Sequence, residues 1–371
     1  MNMKRYSNQN SAEMLKAQVS DIIATFTHPT LKKDLLSLNA LHHCAFLDQV
    51  LHIEIIIPFA WASVFEQLKL KTTSTLLACT GAQAVDWKLI QHIRSLHRAN
   101  GQVAVQGISN ILAVSSGKGG VGKSCIAVNL ALALIQEGAK VGILDADIYG
   151  PSVPHILGSA DLRPTSPDGQ HMAPIIIHGM ASNSIGYLVT GDNAMVWRGP
   201  MASKALLQML NDTLWPELDY LIVDMPPGTG DIQLTLAQKI PVTAAIVITT
   251  PQDLALMDAA KGIVMFSKVK VPILGVIENM TEHLCAQCGY VDPVFGRGGA
   301  EKLIKKYQIK LLGKIPLHSS LSEDADSGYP TVVRQPDSRL SDIFRQLASC
   351  VSAEMYWKIS AIPDEIRVRH L

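Results

Sequence analysis

Gly117-Lys118-Gly119-Gly120-Val121-Gly122-Lys123-Ser124 is the stretch on which the fold of this chain turns. Glycines at these spacings let the backbone close around a triphosphate with successive N–H groups turned inward. Lys123 is placed to reach the β- and γ-phosphates and the Ser124 hydroxyl to ligate Mg²⁺. The pattern works only between a strand and the positive end of a helix. Both flanks are present. Ile111–Ser115 is a short apolar run suited to a buried strand, and Cys125–Ile135 is a longer Ala/Leu-rich run closed by Gly138, which reads as a buried helix. With those flanks the octapeptide reads as a nucleotide-binding loop rather than a glycine-rich turn with two surface lysines.

Outward from the loop, apolar strands alternate with helices. Val141–Leu144, Tyr220–Val223, Ala245–Ile248, Ile273–Ile277 and Leu311–Ile315 read as buried strands, with helices at Met201–Leu214 and Leu254–Val269. Continuous apolar strands separated by helices predict an α/β, doubly wound, mostly parallel sheet covered on both faces, whose ligands sit beyond the carboxyl ends of the strands. Acidic residues stand at those ends: Asp145 and Asp147 after one strand, Asp224 after another. Phosphoryl transfer needs a metal to neutralise charge and a group to orient the attacking water. Asp224 is assigned to the Mg²⁺ shell and Asp147 to the water, with capping of the next segment as the alternative for Asp145 and Asp147. Gly228 and Gly230 are expected to let the loop after Asp224 change shape.

The 371-residue length favours two domains, because single cores seldom grow past roughly 250–300 residues. Residues 1–98 read as a small α+β module with helices at Ser11–Phe26, Trp61–Lys69 and Trp87–His97 and a strand at Val50–Ile57; residues 99–108 read as a linker, 109–360 as the phosphate-loop domain and 361–371 as a tail. Formal net charge is zero and no Lys/Arg block occurs, so the electrostatic footprint of a nucleic-acid or anionic-membrane binder is missing. The polar residues after Met1-Asn2-Met3-Lys4-Arg5 do not resemble a secretory signal, and no apolar run reaches the ~20 residues of a spanning helix, so a cytoplasmic protein is expected.

Of six cysteines, only Cys285 and Cys288 are paired in sequence. Two thiolates at this spacing ligate one metal centre, but tetrahedral zinc or a cubane cluster wants four. One chain supplies half a site, and a two-fold axis placing the pair opposite its copy would complete it. A redox dithiol or an inert loop are the competing readings, and the spacing suits zinc and iron–sulfur equally. The segment from Gly289 to Pro293 argues for a loop rather than the helix that a thioredoxin-like dithiol opens.

Gly117–Ser124, Asp145–Ser152, Val196–Met201, Asp224–Asp231, Glu278–Met280 and Cys285–Cys288 occur in one order over residues 110 to 330. In that combination the chain resembles the Mrp-type iron–sulfur cluster carriers, part of the deviant phosphate-loop ATPase class that includes nitrogenase iron proteins and Min-type and Par-type ATPases. The resemblance implies an ATP-hydrolysing homodimer that carries a [4Fe-4S] cluster to apo iron–sulfur proteins and meets cluster assembly scaffolds, without nucleic acid or membrane. It places Lys118 across the dimer on the partner's phosphates, Asn279 on the adenine, Pro316 and Leu317 over the base, and the cluster on Cys285 and Cys288 with their symmetry mates.

Two departures stand out. Where the fused amino-terminal module of such proteins often carries Asp-Pro-Glu, this chain has His28-Pro29-Thr30, which argues against a metal there. Cys125 stands where a hydroxyl residue often follows the loop, so only its backbone N–H is left to meet the α-phosphate. The rival expectation from another class is a nucleotide-switched positioning ATPase that carries no metal. Neutral charge and the short, broken segment Ile362–Leu371 weigh against it.

Overall fold

The computed structural model describes residues 3–188, 199–285 and 287–363. Its strands are β1 (Leu41–Leu47), β2 (Val50–Ile57), β3 (Ala84–Gln91), β4 (Ile108–Ser116), β5 (Val141–Asp145), β6 (Ile175–Ile177), β7 (Met180–Ser184), β8 (Leu218–Asp224), β9 (Ala244–Thr249), β10 (Ile273–Leu284), β11 (Val291–Asp292) and β12 (Lys310–Leu317). The helices are α1 (Met3–Ala24), α2 (Ala62–Thr80), α3 (Lys123–Gln136), α4 (Val153–Ile156), α5 (Gly199–Asp212), α6 (Asp231–Lys239), α7 (Asp253–Lys268), α8 (Gly299–Tyr307), α9 (Ser319–Asp326), α10 (Thr331–Arg334) and α11 (Arg339–Lys358). None of them is long and apolar enough to cross a membrane. Residues 196–198 of the Val196–Met201 motif and residues 364–371 of the expected tail lie outside the described residues.

A three-stranded sheet, β1-β2-β3, forms first. Leu51, Ile53, Ile55 and Ile57 alternate along β2 with half-buried neighbours, and that inward face packs on Val19 and Ile23 of α1 and Val64, Phe65 and Leu68 of α2. Residues Trp87–His97, expected to be helical, instead contain most of β3, whose eight residues pair in parallel with β2 from Val50↔Ala84 to Ile57↔Gln91. Trp87, Ile90 and Ile93 imitate helical spacing, but Val85, Trp87 and Leu89 share the strand period, and that set packs against the core. The long helix α2 supplies the crossover that a parallel pair requires.

The second sheet runs β11-β10-β9-β4-β8-β5-β7-β6, with β12 also on β10. All its interior pairs are parallel, and only β6 and β11 join antiparallel. Period-two alternation sorts each central strand between two cores. Leu112 and Val114 of β4 and Ile246 and Ile248 of β9 face the core covered by α3 and α11, whereas Ile111, Ala113, Ala245 and Val247 face the core covered by α5, α6, α7 and α8. This is the expected doubly wound α/β sheet, and β4 at its centre delivers the phosphate loop.

The stretch read as a linker is pinned at both ends. His97 N–H donates to Ser360 O at 3.0 Å, Ala99 N–H to Val242 O at 2.9 Å, and Ile108 already opens β4. Helix α11 packs on both sheets' cores through Phe344 and Leu347 on one side and Ala353 on the other. His28 is buried against it, with Nε2 at 3.2 Å from Ser349 Oγ, while its Nδ1 accepts the N–H groups of Thr30 and Leu31, both at 3.3 Å. Both ring nitrogens are thus engaged within the chain.

Candidate functional site

The phosphate loop bridges β4 and α3 with Gly120 and Gly122 in the left-handed region (φ 79° and 80°). A cavity of about 230 Å³ opens over it, lined by Lys118, Gly119, Gly120, Lys123, Ser124 and Asp147 among others. The glycines divide the work differently from the sequence expectation. A Cβ on Gly117 would sit 2.1 Å from the Asp258 carbonyl carbon of α7, and one on Gly122 2.4 Å from Asn279 Nδ2, whereas Gly119 and Gly120 face open space. Gly117 is therefore required by helix packing and Gly122 by Asn279. In the loop after Asp224, Gly228 sits at φ 96°, while Gly230 has an ordinary negative φ of −79°.

Beneath the cavity, Lys123 Nζ donates to Asp224 Oδ1 at 2.6 Å and lies 3.2 Å from Ser124 Oγ. Asp224 is fully buried and its Oδ2 has no partner. A buried acceptor left over is costly unless something meets it, and a hard cation that takes oxygen donors fits both this oxygen and the Ser124 hydroxyl. Asp145, also fully buried, accepts N–H bonds from Asp147 (3.1 Å) and Val153 (3.2 Å) and the hydroxyl of Ser184 (3.0 Å). Burial, then the charge of Asp224, pushes its carboxyl up to about 7. It knits the loop after β5 together. Asp147 faces the phosphate cavity, half-buried, its pKa raised by burial against the opposing pull of Lys123.

A second cavity, also about 230 Å³, shares Gly122 and Cys125 with the first and is walled by Asn279, Met280, Pro316 and Leu317. Its lining is largely apolar, as a base-sized ligand requires. Cys125 Sγ points towards Leu321 O at 3.8 Å, and burial raises that thiol to about 11, so it is a neutral packing group.

Beyond this second cavity β10 runs on to carry the cysteine pair on a hairpin. His283 pairs with Asp292 and Leu284 with Val291; Cys285 N–H donates to Tyr290 O and Gly289 N–H to Cys285 O, each at 2.9 Å. The segment expected to be a loop thus includes the short strand β11. Backbone N–H groups of Cys288 and Gln287, then the Cys288 thiol, point at the Cys285 sulfur and hold its pKa below the ordinary thiol value. N–H donors aimed at sulfur favour the thiolate a metal needs. Among the described residues no group of three or more His, Cys, Asp or Glu side chains could hold a metal. His283 Nδ1 instead lies 3.4 Å from Leu317 O.

Residues 107–352 match the family described as ParA: NUBPL iron-transfer P-loop NTPase. The chain belongs to that family. Across 99% of its length it is 62% identical to the iron-sulfur cluster carrier protein of Escherichia coli (strain K12), all of which is covered, and across 98% it is 57% identical to the protein of that name from Haemophilus influenzae, of which 98% is covered. Among solved structures it is similar to a nucleotide-binding protein of Archaeoglobus fulgidus in complex with ADP, with 35% identity, a TM-score of 0.57, and 65% of this chain and 93% of that one covered.

Within this iron-transfer P-loop NTPase, three contacts around the phosphate loop and β10 escaped the sequence reading. Asn279 Nδ2 donates to Val121 O of the phosphate loop at 2.9 Å. Glu278 Oε1 accepts the Ala300 N–H at the start of α8, at 2.8 Å. Gly228 N–H donates to Ser116 O at 2.9 Å, joining the loop after Asp224 to the phosphate loop. Each joins residues far apart in sequence, and only the Glu278-Asn279-Met280 motif signalled their neighbourhood.

Proposed function

We propose that this protein hydrolyses ATP and, as a homodimer, carries a [4Fe-4S] cluster between the Cys285/Cys288 pairs of two copies, delivering it to apo iron–sulfur proteins. The observation that carries the proposal is the exposed hairpin whose N–H groups favour a Cys285 thiolate while its chain supplies two sulfurs of the four a cubane needs. The names of the relatives support iron–sulfur as the cargo. ATP would lie across the two adjoining cavities, its phosphates on the N–H groups of Gly117 to Cys125 and its base between Asn279 and Pro316. Ser124 and Asp224 would hold Mg²⁺, which when bound neutralises developing phosphate charge. Lys123 would exchange its bond to Asp224 for the phosphates, Lys118 would reach the partner's, and Asp147 would orient water at the γ-phosphate.

Exposed apolar side chains favour the second copy as the neighbour. Tyr149, Leu254, Met257, Tyr290 and Val291 emerge from segments that follow the carboxyl ends of β5, β9 and β10, and Leu284 is the last residue of β10. Anaerobic reconstitution tests the reading. Iron and acid-labile sulfide are expected in the wild-type protein, and Cys285→Ser and Cys288→Ser should each lose the cluster absorbance yet bind ATP. Absorbance retained in both variants would remove the pair as ligands, and zinc alone would replace the cargo.

A further inference from the structure

Strand β10 touches both ends of the proposed chemistry. At Asn279 it is bonded to the phosphate loop, and one residue beyond its last, at Cys285, it presents the first sulfur. Resting on the cluster-carrier reading but going beyond it, we propose that Asn279 is the positioning residue through which nucleotide at the phosphate loop sets the arrangement of the Cys285/Cys288 hairpin. Three features of the strand carry this.

The first is a built-in contact. Gly122 has no Cβ, and a Cβ there would fall 2.4 Å from Asn279 Nδ2, so the loop and the carboxamide are fitted to each other. Val121, whose carbonyl accepts the bond, lies inside the loop that wraps phosphate, and Asn279 is buried. A shift of that carbonyl leaves a buried amide donor unpaired unless the carboxamide follows, and an unpaired buried donor is costly. The same side chain walls the base cavity, so both halves of a nucleotide bear on it.

The second is a break in the strand directly after that contact. Met280 has φ 57°, a left-handed conformation that strains a side-chain-bearing residue. The parallel register with β12 slips between Asn279↔Ile315 and His283↔Leu317. Up to Glu278 the strand is clamped between β9 and β12; beyond Asn279 it is an arm that meets β12 only at His283↔Leu317 and otherwise pairs with the two-residue β11.

The third is how lightly that arm is held. Its polar side-chain ties are Thr281 Oγ1 to Ile315 O at 3.3 Å and His283 Nδ1 near Leu317 O at 3.4 Å, and Glu282, His283 and Leu284 are exposed. A large groove of about 990 Å³ lies alongside, lined by Thr281, Glu282, Leu284 and Val291 among others, and leaves the arm room to pivot. Movement delivered at Asn279 is thus released at Met280 into the hairpin instead of being absorbed by the sheet.

Hydrogen exchange on cluster-free, full-length protein tests the proposal independently of any cargo. Mg-ATP, added at a concentration that saturates each protein by its own titration, is expected to change the exchange rate of the Cys285 and Gly289 amides severalfold in the wild type. In Asn279→Ala and Asn279→Asp that change should vanish at saturation, although the lost wall of the second cavity weakens their affinity for nucleotide. Asp keeps the size but replaces the donor by a carboxylate that faces the Val121 carbonyl. An ATP response that survives in both variants, or none in the wild type, would overturn the proposal. Absence of iron after reconstitution would instead overturn the carrier reading and leave this result standing.

Discussion

At the level of single residues, one buried constellation carries charge that no partner among the described residues neutralises completely. Lys123 faces Asp224 at 2.6 Å, Asp224 Oδ2 is without a partner, and Asp145 is driven towards its neutral form by burial and by Asp224. Asp147 differs: it is the carboxylate of this group that lines the phosphate cavity, and its raised pKa makes it a better proton acceptor than an ordinary aspartate. Asp147→Asn is therefore expected to leave nucleotide affinity within about threefold and to slow ATP hydrolysis by about 10²-fold, the scale of a lost acid–base group. Steady-state turnover beside a nucleotide titration checks it; near-normal turnover would confine Asp147 to holding the Tyr149 and Gly150 amides. The phosphate loop, Asp224 and the cysteine pair were legible in the sequence because their chemistry is written in local spacing. The Gly117 contact with α7 and the Asn279 bond to Val121 were not, because each joins the loop to segments more than a hundred residues away.

Among the elements, the strands next to the loop were legible because buried parallel strands are continuous apolar runs. β3 was misread because Trp87, Ile90 and Ile93 satisfy a helical period as well as Val85, Trp87 and Leu89 satisfy a strand period, and only the open edge of β2 decides between them. Helix α11 was not anticipated, although it joins the two sheets. Its contact with His28 makes that junction sensitive to acid. With Nδ1 already facing two N–H donors, a second ring proton has no acceptor, and burial, with Lys32 nearby, lowers the histidine pKa to about 4 from 6.5. The sign follows from proton counting: between pH 6.5 and 4 the unfolded chain binds a proton that the folded chain refuses, so stability present above 6.5 is lost as the pH falls. The full shift corresponds to about 3 kcal/mol. His28→Gln should be less stable than wild type at pH 7.5, and the gap should close or reverse by pH 4.5. Urea unfolding at both pH values measures this, and a gap independent of pH would show that His28 does not titrate in this way.

On the scale of the whole molecule, apolar surface is left exposed on α7. Leu254 is 71% and Met257 60% exposed on the first turns of α7, the helix whose Asp258 carbonyl packs against Gly117. That surface therefore begins beside Lys118 and shares the carboxyl edge of the sheet with the cysteine hairpin. Exposed large apolar side chains on such an edge are the material of an association face. If a second copy covers it, each copy's Lys118 comes near the other's phosphate cavity and the two thiolate pairs approach one another, so that nucleotide site and cluster site are completed together. A charge on this face would then weaken association without touching either pocket. Met257→Lys is expected to weaken the ATP-dependent dimer at least tenfold and to lower cluster occupancy in proportion, from roughly two irons per chain in the wild type, half a cubane each. Monomer affinity for nucleotide should be unchanged. Sedimentation velocity with Mg-ATP, paired with iron analysis of the same samples, tests the link: full iron content in a monomeric variant would show that one chain holds the cluster unaided.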